Sequence, residues 1–192
     1  MSFRLIAVAL AATLGGCAGG ISTATIDHSV IPQDAGGTQI LSPDGAIGFA
    51  AYSLGHPSST ENRPGNAALA IAAVDYLAGD FYTDPRFVGI PAEDKIRMLQ
   101  GRDEERRALG IAPGATSQQV VDGLIAAYPF YQAKDFAGAA RVLPTSVFTL
   151  GAAGTTQVLS HLPPLISANV AAQNANAFET SGCGNGSGAG CF

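Results

Sequence analysis

The sequence predicts an all-α protein: a small bundle of five or six short helices over residues 64–180, behind a flexible N-terminal tether. From Pro64 onward, apolar residues recur at helical spacing and are punctuated by residues that start and stop helices. No segment sustains the alternation of a strand, and no repeat of fixed period is found. The chain has 192 residues, 47% apolar and 13% charged, which suits one domain with chain to spare for a tail or tether. Ten Lys and Arg against 15 Asp and Glu give a net charge of −5, which excludes a basic nucleic-acid binder. The apolar content excludes a fully disordered chain. Three cysteines are too few for a disulfide-dense scaffold or a four-thiolate zinc site.

The first element is an export signal. Arg4 is followed by a ten-residue apolar run, Leu5 to Leu14, too short for a membrane span of roughly 20 residues and suited to a secretory core. The run ends in Leu14-Gly15-Gly16-Cys17 rather than an A-x-A site. An aliphatic residue, two small ones and then cysteine resembles the lipobox of bacterial lipoproteins. The resemblance implies removal of residues 1–16, diacylglycerol on the Cys17 sulfur and acylation of the new N-terminus. Two or more chains anchor stably where one does not. Ala18, not Asp, follows the cysteine, which in that class favours the periplasmic face of the outer membrane over retention at the inner one. The mature chain would carry 9 basic against 15 acidic residues, so acyl chains rather than charge would hold it to the membrane.

Residues 17–63 read as the lipidated cysteine and its tether. Ala18–Arg63 holds 7 Gly, 3 Pro and 10 Ser or Thr in 46 residues, with no Phe, Tyr or Trp before Phe49. Such a stretch buries too little to offset ordering. Within it, Ser42-Pro43-Asp44-Gly45 is a turn signal that would join Gln39–Leu41 to Ala46–Leu54 as a short hairpin.

The helices then follow. Asn66–Ala78 is apolar nearly all round and belongs inside a bundle. Pro91-Ala-Glu-Asp opens a second helix with acids where the helix dipole favours them. Residues 93–107 hold ten of the 25 charges, and Glu93–Arg97 and Asp103–Arg107 are spaced for i,i+4 pairs, which reads as a solvated face or a docking patch for a charged partner. Thr116-Ser-Gln-Gln119 forms a capping box before the stripe Val120, Val121, Leu124, Ile125 and Tyr128, and Pro129 ends or kinks that helix. Phe136, Ala140 and Leu143 mark a short helix. Ser146–Leu162 continues with Val147, Leu150, Gly154 and Val158, and Gly151-Ala-Ala-Gly154 would permit close helix contact. The last helix, about 164–178, carries Ile166, Val170 and Phe178.

The tail, 181–192, alternates Gly with small residues between Cys183 and Cys191. In an exported protein an even pair reads as a disulfide, and a ring this small adds little stability. A two-thiolate metal or redox site would need further ligands, and the nearest histidine in sequence is His161. The glycines do not make a phosphate loop, because no helix follows them.

No catalytic motif emerges. His28, His56 and His161 are far apart, and there is no H-x-x-x-H, G-x-S-x-G or G-x-x-x-x-G-K. Ser160 beside His161 imitates half of a hydrolytic pair, but helix neighbours point to different faces. Asp75, Asp80 and Asp84, with Tyr76 and Tyr82, form a polar cluster. Either Asp75 and Asp80 approach as paired carboxylates, or Asp75 faces water and the others cap a turn around Gly79 and Pro85. Nothing calls for a cofactor or a metal. Three readings compete. One is a non-catalytic envelope accessory or scaffold working through an envelope protein partner. The next is a tethered binding domain for a small apolar or cell-wall ligand, with Tyr76, Phe81, Tyr128 and Phe130 lining its pocket. The last is an enzyme with an unrecognised site.

Overall fold

The computed structural model describes residues 26–33 and 41–181. The signal segment, Cys17 and the Cys183/Cys191 tail lie outside the described residues. Seven α-helices are found among the described residues.

α1, Pro43–Gly55, replaces the expected hairpin. Ser42 accepts a hydrogen bond from the Gly45 N–H at 2.9 Å, and Pro43 sits at the first helical position. The residues that signalled a turn therefore start a helix, because Ser as N-cap and Pro at N1 serve both. Ala46, Ile47, Ala50 and Ala51 form its buried stripe, so the packed domain begins well before residue 64. A 3₁₀ turn, Pro57–Ser59, leads to α2, Pro64–Thr83, whose 20 residues extend roughly 30 Å. Nearly all of Gly65–Phe81 is buried, as an all-round apolar helix requires.

A second 3₁₀ turn, Pro85–Phe87, is capped by Asp84, and α3, Ala92–Leu109, follows with Glu93 and Asp94 in its first turn. It ends on Gly110 at φ 60°, a left-handed conformation that suits glycine. Residues 93–107 depart from a solvated face: Glu93 and Arg97 lie 3.9 Å apart, but Asp94, Arg102 and Glu105 are buried. α4, Ser117–Gln132, starts at the Thr116–Gln119 capping box, with both reciprocal bonds present. It runs through Pro129, which is exposed, rather than stopping there. Its end is a Schellman turn: Lys134 N–H donates to Tyr131 C=O, and Asp135 N–H to Phe130 C=O.

α5 is Phe136–Val142, α6 Gly151–Ser160 and α7 Ile166–Thr180. α6 is shorter than the span read from the sequence. Residues 147–149 instead pair with 110–112, where Ala112 N–H meets Val147 C=O and Thr149 N–H meets Gly110 C=O. α2 is the central helix, flanked by α1, α3 and α4, and α7 closes the bundle against α1 and α3.

Two expected faces are rotated. On α7 the buried residues are Ala168, Ala171, Ala172 and Ala175, while Ile166 is 70% exposed and Val170 is exposed as well. A Cβ on Gly101 of α3 would collide with the Ala168 backbone, so α7 approaches too closely for large side chains at the contact. On α5, Gly138 and Ala139 are buried and Phe136 is 52% exposed. By contrast, the two glycines of Gly151–Gly154 meet no other helix closely: a Cβ on Gly151 would meet open space, and one on Gly154 only Leu150 of the preceding turn.

Candidate functional site

The most concentrated polar feature is a cluster of charges between α2, α3 and the start of α4. Asp75 does not face water. It is fully buried and takes a bidentate pair from Arg106, with Nη2 to Oδ1 at 2.6 Å and Nε to Oδ2 at 3.1 Å. Arg106 also reaches the Ala115 carbonyl and the Ser117 hydroxyl, both at 3.0 Å. One α3 turn earlier, Arg102 is buried and bonds to Asp27 Oδ1 at 2.8 Å. Glu105 is wholly buried, and neither of its oxygens is reached by a donor. Burial pushes its carboxyl well up, the Asp75 carboxylate adds to the rise, and the Arg106 and Arg102 charges oppose it. Glu105 is thus the group of this cluster on which burial most disfavours a negative charge.

Asp27 belongs to a short extended strap, residues 26–33, that crosses α2 and the first turn of α4. Its carboxylate accepts the Ser117 N–H at 2.6 Å and the Ser117 hydroxyl at 2.9 Å, which places a negative charge at the N-terminus of α4. Burial raises the Asp27 carboxyl, but Ser117, Arg102 and Arg106 outweigh it and hold it below the usual range. A Cβ on Gly79 would overlap the Asp27 carbonyl, so the strap seats on α2 only because that position is glycine. Farther along, His28 Nδ1 meets Asp80 Oδ1 at 2.6 Å, and the Val30 backbone makes two bonds with the Gln118 side chain. Ile31 is buried in the core. Residues assigned from sequence to a flexible tether thus form part of the packed structure.

These groups bind one another. Asp80 and Thr83 both approach Nδ1 of His28, at 2.6 and 3.5 Å, whereas a nucleophile relay needs its acid and hydroxyl on opposite ring nitrogens. His161 pairs with Glu61 at 2.9 Å, and Ser160 donates to the Thr156 carbonyl, so they form no hydrolytic pair. His56 stacks on Tyr52 and bonds its carbonyl. Asp75 and Asp80 each have a different partner, Arg106 and His28, and Asp84 caps the turn before Arg86. Among the described residues, no three His, Cys, Asp or Glu side chains gather to hold a metal, and no helix is long and apolar enough to cross a membrane.

The four aromatics expected around one pocket are not brought together. Phe81 is fully buried and packs edge-on against Phe87, and Tyr76 is buried with its hydroxyl at Arg86. Tyr128 instead lies beside Gly65, and Phe130 beside Gly138. Gly65 and Tyr76 are eleven positions apart on α2, roughly 16 Å along its axis. Hollows open elsewhere among the described residues. One is mainly apolar, about 140 Å³, between the end of α1 and the Leu162–Ile166 segment. Another, about 400 Å³, is lined by residues 62–66 at the start of α2 and by Tyr131, Gln132, Lys134 and Phe136 around the junction of α4 and α5. Asn62 and Lys134, the two described non-glycine residues with left-handed φ (54° and 57°), both line the second hollow. Sequence reasoning passed over this region because Arg63 and Lys134 are 71 positions apart and neither belongs to a motif.

The chain matches no protein-family model, and comparison with curated proteins and with solved structures finds no match either.

Proposed function

We propose that the protein is a lipid-anchored component of the bacterial cell envelope, held through acylated Cys17 on the periplasmic face of the outer membrane, whose helical domain serves a non-catalytic accessory or scaffold role. The observation that carries this reading is the lipobox-like Leu14-Gly15-Gly16-Cys17, followed after only nine residues by the clasped segment that begins the fold. Nine residue steps extend at most about 32 Å, so the domain would stay close to its anchor. A solid core around Phe81, and an Asp75 carboxylate already taken up by Arg106, support a domain that works through contacts rather than chemistry. The test is fractionation. The wild-type chain should sediment with membranes and partition into detergent, and Cys17→Ser should appear in the soluble periplasmic fraction. Crosslinking before solubilisation should then capture an envelope protein with the wild-type chain. Identical fractionation of both forms would remove the anchor from the account. In the same setting Cys183 and Cys191 should be joined, lowering the mass of the C-terminal peptide by two hydrogens.

A further inference from the structure

The hollow at the start of α2 has charges that the rest of the fold leaves unused. Most guanidiniums of this acidic protein are paired: Arg86 with Asp84, Arg97 with Asp94, Arg102 with Asp27 and Arg106 with Asp75. Arg63 and Lys134 both line the hollow, are exposed, and make no ion pair with another described residue. The acids nearest them in sequence are engaged elsewhere. Glu61 holds His161, and Asp135 caps the Gly138 N–H and lies 3.7 Å from Arg141. Two cations lining one concavity create a positive field that an oxyanion relieves, and a guanidinium fork fits a carboxylate in particular.

The other walls specify more than an anion. Phe136 leaves half its surface open at the edge of the hollow, its ring 6.3 Å from that of the buried Tyr131. Tyr131 is fixed from behind by its hydroxyl bond to Thr156 at 2.9 Å. Gln132 donates one amide hydrogen to Asn66, which leaves its carbonyl and its second hydrogen available. An exposed aromatic face accommodates the C–H face of a sugar ring, and an amide can donate to and accept from hydroxyls. A purely apolar ligand would instead strip water from two cations without replacing it.

The backbone adds an independent sign. Lys134 occupies the left-handed position that ends a Schellman turn, where glycine is the usual residue because a side chain there is strained. A lysine at that place sacrifices stability and puts a cation in the wall of the hollow that Arg63 also lines. We propose that this hollow is a binding site for a small carboxylated sugar, free or at the end of a glycan. Arg63 and Lys134 take the carboxylate, Phe136 takes the ring face and the Gln132 amide takes a hydroxyl. The inference goes beyond the anchoring proposal and does not depend on it, since Cys17→Ser should bind equally well.

The test titrates the full chain, in detergent, with sodium glucuronate, glucose and sodium acetate, following backbone amide shifts. Glucuronate should move the amides of residues 62–66 and 131–136, and glucose and acetate should each bind at least about tenfold more weakly. A hexuronic-acid oligosaccharide should perturb the same amides if the natural source is a glycan end, whereas monosaccharide binding alone would assign the site to the free sugar acid. Arg63→Gln should weaken glucuronate about tenfold without changing the fold. Lys134→Gly should weaken it similarly while raising the melting temperature by about 2 °C, a combination that a merely structural lysine would not give. The proposal is overturned by no amide shift at tens of millimolar glucuronate, by acetate or glucose binding as tightly, or by variants that bind like wild type.

Discussion

Replacing Asp27 by alanine would open the clasp that joins the strap to the bundle. The substitution removes an ion pair to Arg102, whose side chain is only 2% exposed, and two hydrogen bonds to Ser117, one of them at the N-terminus of α4. Breaking a buried pair from one side costs about 3–5 kcal/mol, because the remaining charge is stranded. Asp27 itself is one-quarter exposed, and Arg102 keeps a contact with Ser117 at 3.4 Å, so the low end applies, about 3 kcal/mol. For a domain of this size that corresponds to roughly 6–12 °C in melting temperature. Urea unfolding followed by circular dichroism at neutral pH measures it. The carboxyl is held below its ordinary value in the folded protein, so its contribution is present above that value and lost as pH falls towards the lowered one. The gap between wild type and Asp27→Ala should therefore narrow on acidification from about pH 5 downward. A difference under about 0.5 kcal/mol at neutral pH, or one that widens in acid, would refute the clasp.

Gly79→Ala would normally favour a helix by about 1 kcal/mol, but its Cβ would strike the Asp27 carbonyl. It should instead destabilise by about 2 kcal/mol and speed hydrogen exchange at the Val30 amide, and a stabilised variant with unchanged exchange would show that the strap does not seat there. Burial holds the Glu105 carboxyl well above its ordinary value of 4.5, so its contribution is complete below that value and is lost as pH rises towards the raised one. Glu105→Gln should therefore gain more stability at pH 8 than at pH 5, and equal shifts at both would mean that the Glu105 carboxyl is not raised. Thr116→Ala should cost about 1 kcal/mol by unmaking one half of the capping box, and an unchanged denaturation midpoint would contradict the cap.

What the sequence made legible was what depends on near neighbours. The capping box at Thr116, the acids after Pro91 and the all-round apolar run of α2 are local, and the structure has helices at all three. Ser42-Pro43 was local too but two-valued, since the residues that open a turn also open a helix, and only the burial of Ala46, Ile47 and Ala50 against the bundle decides it. The faces of α5 and α7 escape a rule that turns the largest apolar residues inward, since Phe136 and Ile166 are exposed. On α7, close approach to Gly101 admits only alanine at the contact. The clasp was invisible because Asp27, Gly79, Arg102 and Ser117 come from four segments as much as 90 positions apart. One signal was present: Gly79 interrupts a run of strong helix formers, and a glycine there marks a close backbone approach. The pocket of Tyr76, Phe81, Tyr128 and Phe130 failed because proximity within sequence windows says nothing about opposite ends of a 30 Å helix.

The central claim is that this domain is held to a membrane through Cys17, and the mass of the mature N-terminus tests it most directly. Protein extracted from membranes, digested and examined by mass spectrometry should yield an N-terminal peptide beginning at Cys17 and carrying diacylglycerol on sulfur and an acyl chain on nitrogen. A peptide that retains residues 1–16, or one that begins at Cys17 or beyond with no lipid mass, would contradict the account.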